Sequence, residues 1–378
     1  MIRFLLFPFS LLFGIITFVR NRLYDWKCMP SVQYDDIYVI SVGNITVGGT
    51  GKTPFVEYLV RAISQNYRVA VLSRGYKRST KGFRFADGNV TAGEVGDEPY
   101  QIKRKFHDIV VAVDADRVRG IAQIRKTYPD TQVILLDDAF QYRRIKPNLS
   151  ILLADYSRPL YRDSMLPGGR LREWACFAQR ADVMAVTKSP SGIASEERKD
   201  IERRYARIFS RELFFTTIRY GEPQLVFPAG EIPPDLKKPT EMRLLATIEL
   251  NQYDVLLVTG IANPKPFEDY IRQYAASVLT INFPDHHSFS EKDTAQITEK
   301  WKTILSANKL LLTTEKDAAR LQQVKIPEII AKYSYFVPIE VDFIDEGKKR
   351  FEQKSSIIFP IKNPLNISDE GGPTYIRL

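Results

Sequence analysis

A glycine-rich stretch in the first part of the chain carries the residue types that bind nucleotide phosphates. Residues 43–54 read GNITVGGTGKTP and fall between a predicted strand over 37–42 and a predicted helix over 55–65. Glycines let the backbone turn its N–H groups toward a polyphosphate, and the N-terminus of the following helix favours negative charge. The residues that we predict to hold the nucleotide are Gly48, Gly49, Thr50, Gly51, Lys52 and Thr53.

The last residues of this loop indicate how the nucleotide is used. Lys52 would reach the β- and γ-phosphates, and the hydroxyl group of Thr53 would coordinate Mg²⁺. The strict pattern GxxxxGK[ST] requires glycine at position 46, where this chain has Thr46. The neighbouring glycines offset that difference, so the loop favours a nucleotide site over a glycine-rich turn that binds nothing.

Three other motifs could supply metal ligands or acid–base groups. VILLDD at 133–138 is an apolar strand that ends in Asp137 and Asp138, and Mg²⁺ takes one or two carboxylates besides phosphate oxygens. An acidic turn is the alternative there. Asp97 in VGDEP could orient an acceptor hydroxyl. His286 in FPDHH lacks zinc-ligand spacing. Taken alone, the motifs of Asp97 and His286 are weak signals, for which solvated loops are the alternative.

Apolar strands that alternate with helical stretches predict how these motifs are held. The predicted strands are 37–42, 69–72, 109–113, 133–136, 150–154, 183–187, 255–259, 278–283 and 309–313. Such alternation indicates parallel sheets covered by helices on both faces. We therefore predict the α/β class, with two α/β/α sandwich domains, the first a P-loop NTPase-like core, and an N-terminal membrane-associated helix.

Changes in composition along the chain predict the domain boundaries. Residues 1–28 form the N-terminal helix and residues 29–212 the P-loop core. Residues 213–228 contain LFFTTIRY and PQLVF, which we interpret as paired extended segments of a linker. Residues 229–378 form a smaller α/β domain, whose end, from Phe351 on, is rich in proline and glycine and is expected to be irregular.

The N-terminal segment has the composition of a membrane anchor. Residues 4–19, FLLFPFSLLFGIITFV, include no charge over sixteen residues. As a helix they would reach ~24 Å, short of the ~30 Å hydrocarbon core of a bilayer. Arginine, tyrosine, tryptophan and lysine follow, as at a membrane interface. A core helix is less favoured. A signal peptide is also disfavoured, because the small-residue cleavage site that would follow it is missing from this sequence. Whether the helix spans the bilayer or lies in one leaflet stays open.

Composition and charge narrow the class of protein. The chain has 378 residues, 44% hydrophobic and 26% charged, which excludes a protein disordered throughout. Its only cysteines, Cys28 and Cys176, exclude a disulfide scaffold. Most of the net charge of +9 comes from residues 1–30 and 74–84. This placement favours an anionic lipid over nucleic acid as the partner, although aromatic residues among the basic ones keep nucleic acid as a rival.

Ten segments, in order from residue 43 to residue 321, match the motifs of one family. They are GNITVGGTGKTP, SRGYKR, VGDEP, DADRVRG, LLDDAFQYRRI, LPGGRLRE, ADVMAVTK, GIANPKPF, FPDHHSF and LLTTEKDAARL. One such segment would be a weak signal, but ten in order are specific. Through them the chain resembles the bacterial tetraacyldisaccharide 4'-kinase family of lipid A biosynthesis.

The resemblance implies ATP- and Mg²⁺-dependent phosphorylation of the 4'-hydroxyl group of a lipid A disaccharide 1-phosphate precursor, which gives lipid IVA. It implies a site at the cytoplasmic face of the inner membrane, with a membrane-surface partner and no nucleic acid. In this sequence Lys52 matches the phosphate-binding lysine, Asp97 the carboxylate that activates the hydroxyl group, and His286 its partner. The predicted metal ligands are Thr53, Asp137 and Asp138. The predicted substrate contacts are Arg74, Arg78, Arg117 and Arg170.

The chain departs from the family's usual motifs in two segments. LDDGFQH is replaced by LDDAFQY, with Ala139 and Tyr142, and LPAGPLRE is replaced by LPGGRLRE, with Arg170. A membrane-associated ATPase of the ParA/MinD kind is the alternative function. Those proteins carry a lysine before the two glycines, where this chain has Val47, and they lack a second domain with FPDHH. A non-catalytic nucleotide-binding scaffold is a third possibility.

Overall fold

The computed structural model of the chain describes residues 2–88, 90–227, 250–285 and 287–358. The chain divides into two compact units, one made of Met1–Ile218 with Val341–Leu378 and the other of Arg219–Glu340. It therefore passes from the first unit to the second and back. The domain boundaries expected after residues 28, 212 and 228 stay predictions.

Helices and strands alternate along the described residues. The strands are β1 (Tyr38–Gly43), β2 (Val69–Ser73), β3 (Arg84–Phe85), β4 (Val110–Val113), β5 (Val133–Asp137), β6 (Leu149–Asp155), β7 (Val183–Thr187), β8 (Glu212–Tyr220), β9 (Gln224–Leu225), β10 (Asp254–Thr259), β11 (Ser277–Asn282), β12 (Lys309–Thr314), β13 (Ser334–Val337) and β14 (Ile339–Phe343). The α-helices are α1 (Ile2–Asp25), α2 (Lys52–Ile63), α3 (Ala92–Val95), α4 (Asp97–Lys105), α5 (Arg117–Thr127), α6 (Ser195–Tyr205), α7 (Lys265–Arg272), α8 (Glu291–Lys302), α9 (Glu315–Leu321), α10 (Glu328–Ala331) and α11 (Gly347–Ile358).

The larger sheet brings the phosphate loop and the acidic pair to one edge. Its strand order is β14-β8-β7-β6-β1-β5-β2-β4-β3. β1 pairs in parallel with both β5 and β6, and Val42 lies opposite Asp137. Because the carboxyl ends of parallel strands meet at one edge, the loop after β1 and the carboxylates that end β5 are neighbours.

Apolar residues cover both faces of this sheet, as expected for parallel strands between helices. Ile40 of β1 packs in one cluster with Phe55 of α2. Val39 faces the other way and belongs to a cluster with Ile121 of α5. The mixed α/β architecture confirms the predicted fold class.

The smaller sheet lies in the second unit and is also mainly parallel. Its order is β11-β10-β12-β13-β9, and among the described pairings of this smaller sheet only that of β9 with β13 is antiparallel. At its carboxyl edge the buried Asp317 accepts hydrogen bonds from Gly260 N at 2.9 Å and Thr314 Oγ1 at 2.7 Å. Arg320 Nη1 lies 3.1 Å from Asp317 Oδ1, and both side chains are buried. This network joins the loop that contains GIANP to the start of α9.

The helix α1 packs on the first unit along one polar face. Trp174 Nε1 donates to the carbonyl oxygen of Gly14 at 2.9 Å, and Asn21 Nδ2 donates to Glu173 Oε2 at 2.6 Å. The buried positions of this face are Ser10, Gly14, Thr17 and Asn21. Among the described helices, α1 is the one whose length and apolar composition would allow it to cross a membrane.

Two expectations from the sequence are wrong. LFFTTIRY and PQLVF do not pair with each other, because β8 lies between β7 and β14 whereas β9 pairs with β13. Burial of Phe214 and Phe215 explains the place of β8 in the larger sheet. The chain is also helical from 351 to 358, because Phe351 is buried against the ring of Phe343. Residues 359–378 lie outside the described part of the chain.

We expect Asp317→Ala to destabilise the second unit by about 3 kcal/mol or more, because it breaks the buried Asp317–Arg320 pair and removes the acceptor of the Gly260 N–H group. The matched control is Asp269→Ala, which removes an exposed pair with Lys265 on α7 and should cost less than about 1 kcal/mol. Hydrogen exchange of the β10 amides measures both effects. Equal losses of protection would contradict the role of the buried network.

Candidate active site

The loop between β1 and α2 has the geometry of an anion site. Gly48 and Gly51 have φ angles of 107° and 77°, at which any residue with a side chain would have a strained backbone. No side chain caps the first turn of α2, so its N–H groups can receive phosphate oxygens. The buried hydroxyl group of Thr50 accepts a hydrogen bond from Asn44 Nδ2 at 2.8 Å. This hydrogen bond between two residues of the loop therefore stabilises the loop conformation.

Asp137 is a buried carboxylate beside this loop. Its Oδ2 accepts a hydrogen bond from Ser73 Oγ at 3.2 Å, while its buried Oδ1 has no hydrogen-bond partner among the described residues. Burial, together with the charge of Asp138, raises the pKa of Asp137 to about 6. Asp137 Oδ1, a buried carboxylate oxygen without a hydrogen-bond partner among the described residues, is suited to bind a cation.

Asp138 has the opposite electrostatic environment. Partial burial tends to raise its pKa, but the charges of Lys52 and Arg172 outweigh that effect and hold the pKa below its usual value. Lys52 Nζ lies 3.8 Å from Asp138 Oδ1, and Arg172 Nη2 lies 2.9 Å from the same oxygen. The second carboxylate is therefore ionised and fixed between two cations.

The oxygen groups at this edge fit Mg²⁺. Thr53, Asp137 and Asp138 offer a hydroxyl group and carboxylates, and the unpartnered Asp137 Oδ1 is a donor that the protein itself leaves unused. Within the described residues no cluster of three or more His, Cys, Asp or Glu side chains could hold a metal. The ion would thus complete its ligands with phosphate oxygens and water, as Mg²⁺ commonly does.

Arg172 is a site residue that the sequence did not assign. Its segment runs along the phosphate loop, where Arg172 N donates to the carbonyl oxygen of Ile45 at 2.7 Å and Val47 N donates to that of Arg170 at 2.9 Å. Arg172 Nη2 also donates to the carbonyl oxygen of Asn44 at 2.8 Å. The only signal in the sequence was a group of arginines around LPGGRLRE.

The ends of β6 and β7 add two further contacts to the loop. Thr187 Oγ1 donates to the carbonyl oxygen of Thr50 at 2.8 Å. Lys188 Nζ lies 2.9 Å from Asp155 Oδ2 and also donates to the carbonyl oxygen of Gly49. The sequence showed Thr187 and Lys188 without indicating a role. Here they bind the backbone that would hold the phosphates.

Asp97 is the first residue of α4 and is partly exposed. It follows Gly96, whose φ is 99° and where a Cβ would lie 3.2 Å from the Cα of Gly75. The buried carboxylate of Glu57 on α2 fixes α4 through Lys105 Nζ at 2.7 Å. Asp97 is therefore positioned with respect to the phosphate-loop helix.

The predicted histidine partner cannot be placed in the same way, because His286 lies outside the described residues. Its neighbour His287 belongs to the second unit. His287 Nε2 lies 3.0 Å from Asp293 Oδ2, and the imidazole ring stacks on Phe283 at 4.6 Å. The FPDHH segment is thus anchored to the start of α8.

The four arginines predicted to contact the substrate differ in exposure. Arg117 is 3% exposed, and its guanidinium lies 5.4 Å from the ring of Tyr142. Burial lowers its pKa, against the charge of Asp137. Arg78 is partly buried and donates to the carbonyl oxygen of Gly82. The side chains of the other two are exposed: Arg74 and Arg170. The charges of Asp137 and Asp138 act on the pKa of Arg117, so its guanidinium lies near the acidic pair.

Comparison with known proteins identifies the family. The tetraacyldisaccharide-1-P 4'-kinase family matches residues 2–355. The chain belongs to this family. A tetraacyldisaccharide 4'-kinase of Parabacteroides distasonis is 47% identical over 354 residues, which cover 92% of each chain. One from Bacteroides thetaiotaomicron is 42% identical over 350 residues, which cover 92% of this chain and 91% of the relative.

A solved structure supports the fold of the whole chain. A crystal structure of the "apo" form of LpxK from Aquifex aeolicus, in complex with ATP, matches with a TM-score of 0.71 and 27% identity. The match covers 95% of this chain and 100% of that one. These similarities confirm the predicted family, the kinase class and the P-loop core, and they favour a kinase over a ParA/MinD-like ATPase.

We expect Arg172→Ala to lower kcat roughly 10–100-fold, the loss typical when a partner of a metal-binding carboxylate is removed. Asp138 would lose its 2.9 Å cation, and the phosphate loop would lose a tether. Steady-state kinetics with ATP as the varied substrate measures the change in kcat. Arg162→Ala, an exposed arginine of the same region, is the matched control. A loss below about threefold for Arg172→Ala would contradict its role in the site.

Proposed function

We propose that this chain transfers the γ-phosphoryl group of ATP to the 4'-hydroxyl group of a tetraacyldisaccharide 1-phosphate, which yields lipid IVA and ADP. The observation that carries the proposal is the cluster at the start of α2, where Asp138 lies between Lys52 and Arg172. Such clusters stabilise the charge that develops during phosphoryl transfer. We infer the acceptor, the 4'-hydroxyl group of a tetraacyldisaccharide, from the names of the relatives.

Different residues of the first unit are proposed to bind the phosphates, stabilise negative charge and hold the metal ion. The N–H groups of the loop and of α2 bind the phosphates, and Lys52 stabilises negative charge on the β- and γ-oxygens. Thr53, Asp137 and Asp138 would hold Mg²⁺, which neutralises phosphate charge when it is bound.

Proton removal is assigned to Asp97. Its carboxylate takes the proton of the 4'-hydroxyl group while that oxygen bonds to the γ-phosphorus and the bond to the leaving ADP oxygen breaks. His286 would keep Asp97 ionised and oriented through its hydrogen bond or charge. Arg74, Arg78, Arg117 and Arg170 are proposed to bind the anionic disaccharide.

We also propose that the protein works at the cytoplasmic face of the inner membrane and binds no nucleic acid. One face of α1 is buried on the first unit, whereas Leu12 and Ile16 on the other side are 57% and 58% exposed. Apolar side chains at this exposure are stabilised by a membrane surface. A membrane location also suits a substrate that carries acyl chains.

Replacing Asp97 with alanine should lower kcat by about 10²–10⁴, because general-base catalysis contributes that much. The assay incubates protein, Mg-ATP and the disaccharide 1-phosphate lipid in detergent and detects the added 4'-phosphate by mass. Asp108→Ala, at an exposed carboxylate in the loop after α4, is the matched control. A fall of less than about tenfold would remove Asp97 as the base, and no lipid product from the wild type would refute the proposed reaction.

Membrane contact through α1 is tested with Leu12→Glu combined with Ile16→Glu. We expect at least about tenfold weaker partitioning onto phospholipid vesicles, because two apolar side chains that contact the membrane are lost and two charges are gained. Gln123→Glu with Thr127→Glu adds the same charges at the same spacing on exposed positions of α5. Vesicle co-sedimentation compares the pairs, and equal partitioning would exclude α1 as the contact.

A further inference from the structure

A cavity of about 920 Å³ lies in the first unit and is distinct from the phosphate loop. It reaches Asp182 and Arg211, which precede β7 and β8 and so lie toward the amino ends of parallel strands. The nucleotide loop follows the carboxyl end of β1 and is not part of the lining, although the lining extends to Leu136 and Ala139, which flank the acidic pair. The cavity is bounded on one side by the residues that follow α1, from Lys27 to Gln33.

Its lining carries an excess of positive charge. The basic residues of the lining are Lys27, Arg143, Lys146, Arg180 and Arg211, and the acidic ones are Asp25 and Asp182. Both carboxylates are already used, since Asp25 Oδ1 lies 2.8 Å from Arg143 Nη2 and Asp182 Oδ1 lies 3.2 Å from Arg211 Nη1. Further cations remain without an acidic partner in the lining, which favours an anion there.

Two of these cations are unpaired lysines. Within the described residues neither Lys27 nor Lys146 forms an ion pair, and both are exposed. Lys27 is the second residue after α1 and has a φ of 59°, a left-handed position that glycine usually fills. The backbone of Lys146 is fixed by its N–H bond to the carbonyl oxygen of Val32 at 2.8 Å. Both lysines therefore have fixed backbone positions in the lining, and neither ammonium group forms an ion pair within the described residues.

The floor of the cavity supplies an unused polar group. Ser41 of β1 is 3% exposed, and its buried Oγ has no hydrogen-bond partner among the described residues. Unsatisfied buried hydroxyl groups are rare, because losing water without a replacement costs free energy. Tyr24 and Phe140 add rings to the same lining, against which the cations of Arg143 and Arg180 lie at 5.2 Å and 4.5 Å.

We propose that this cavity binds a phosphate-bearing anion, with Lys27 and Lys146 contacting the phosphate. The anion is either the headgroup of an anionic phospholipid or a free phosphate compound. The first source rests on the proposed membrane contact of α1, since the cavity begins where that helix ends. The ligand would touch Ala139 and Phe140, in the loop that continues from the acidic pair.

The test measures binding without ATP or the disaccharide lipid, so its outcome is independent of the proposed reaction. Dihexanoyl-phosphatidylglycerol, below its micelle concentration, is titrated calorimetrically into the full chain in nonionic detergent at low salt. We expect Lys27→Gln with Lys146→Gln to weaken binding roughly tenfold or more. Lys126→Gln with Lys199→Gln removes two exposed lysines elsewhere in the same unit and should leave binding unchanged.

Two further arms identify the ligand and its place. Lysine-dependent binding of inorganic phosphate would point to a free anion, whereas binding of phosphatidylglycerol alone would point to a lipid headgroup. In Cys176→Ser protein, bound ligand should slow maleimide modification of the exposed Cys28, which lies between two cavity residues. The proposal is overturned if neither ligand loses affinity in the Lys27–Lys146 variant, or if the control pair loses as much.

Discussion

Two adjacent carboxylates at the end of β5 set the charge that the first unit has to balance. Asp137 is buried and Asp138 is the next residue, so burial and the charge of Asp138 both raise the cost of ionising Asp137. Asp138 is nevertheless held ionised, because Lys52 and Arg172 approach it. The site is therefore stable only while those cations are in place.

This balance explains why motifs far apart in the sequence meet. Lys52 comes from the phosphate loop, Arg117 from the start of α5, and Arg172 from the LPGGRLRE segment. The guanidinium groups of Arg117 and Arg172 are also held by backbone contacts, to the carbonyl oxygens of Ala115 and Asn44. A cation tethered in this way keeps its place without losing side-chain entropy when the substrate binds. The main role of these segments is thus to place positively charged side chains beside the two carboxylates.

The sequence predicted the parts of this site whose chemistry is local. A strand, a glycine-rich loop and a helix in immediate succession place Lys52, and an apolar run ending in two aspartates places Asp137. Arg172 could not be assigned, because its role depends on a segment that folds back across the phosphate loop. The pairing of β8 failed for a similar reason. Extended conformation is a local property, but the partner of a strand depends on burial elsewhere.

The substitution of tyrosine in the family's usual LDDGFQH motif shows how charge placement can be kept while a residue changes. Tyr142 donates through its hydroxyl group to Asp116 Oδ1 at 2.7 Å, and this hydrogen bond is the main cause that lowers the pKa of Asp116. Asp116 caps α5 by accepting from Val118 N at 3.1 Å. The ring of Tyr142 also lies against the guanidinium of Arg117. One side chain therefore contacts both the residue that caps α5 and the guanidinium of Arg117, so in this chain the phenol of Tyr142 links the start of α5 to a cation of the site.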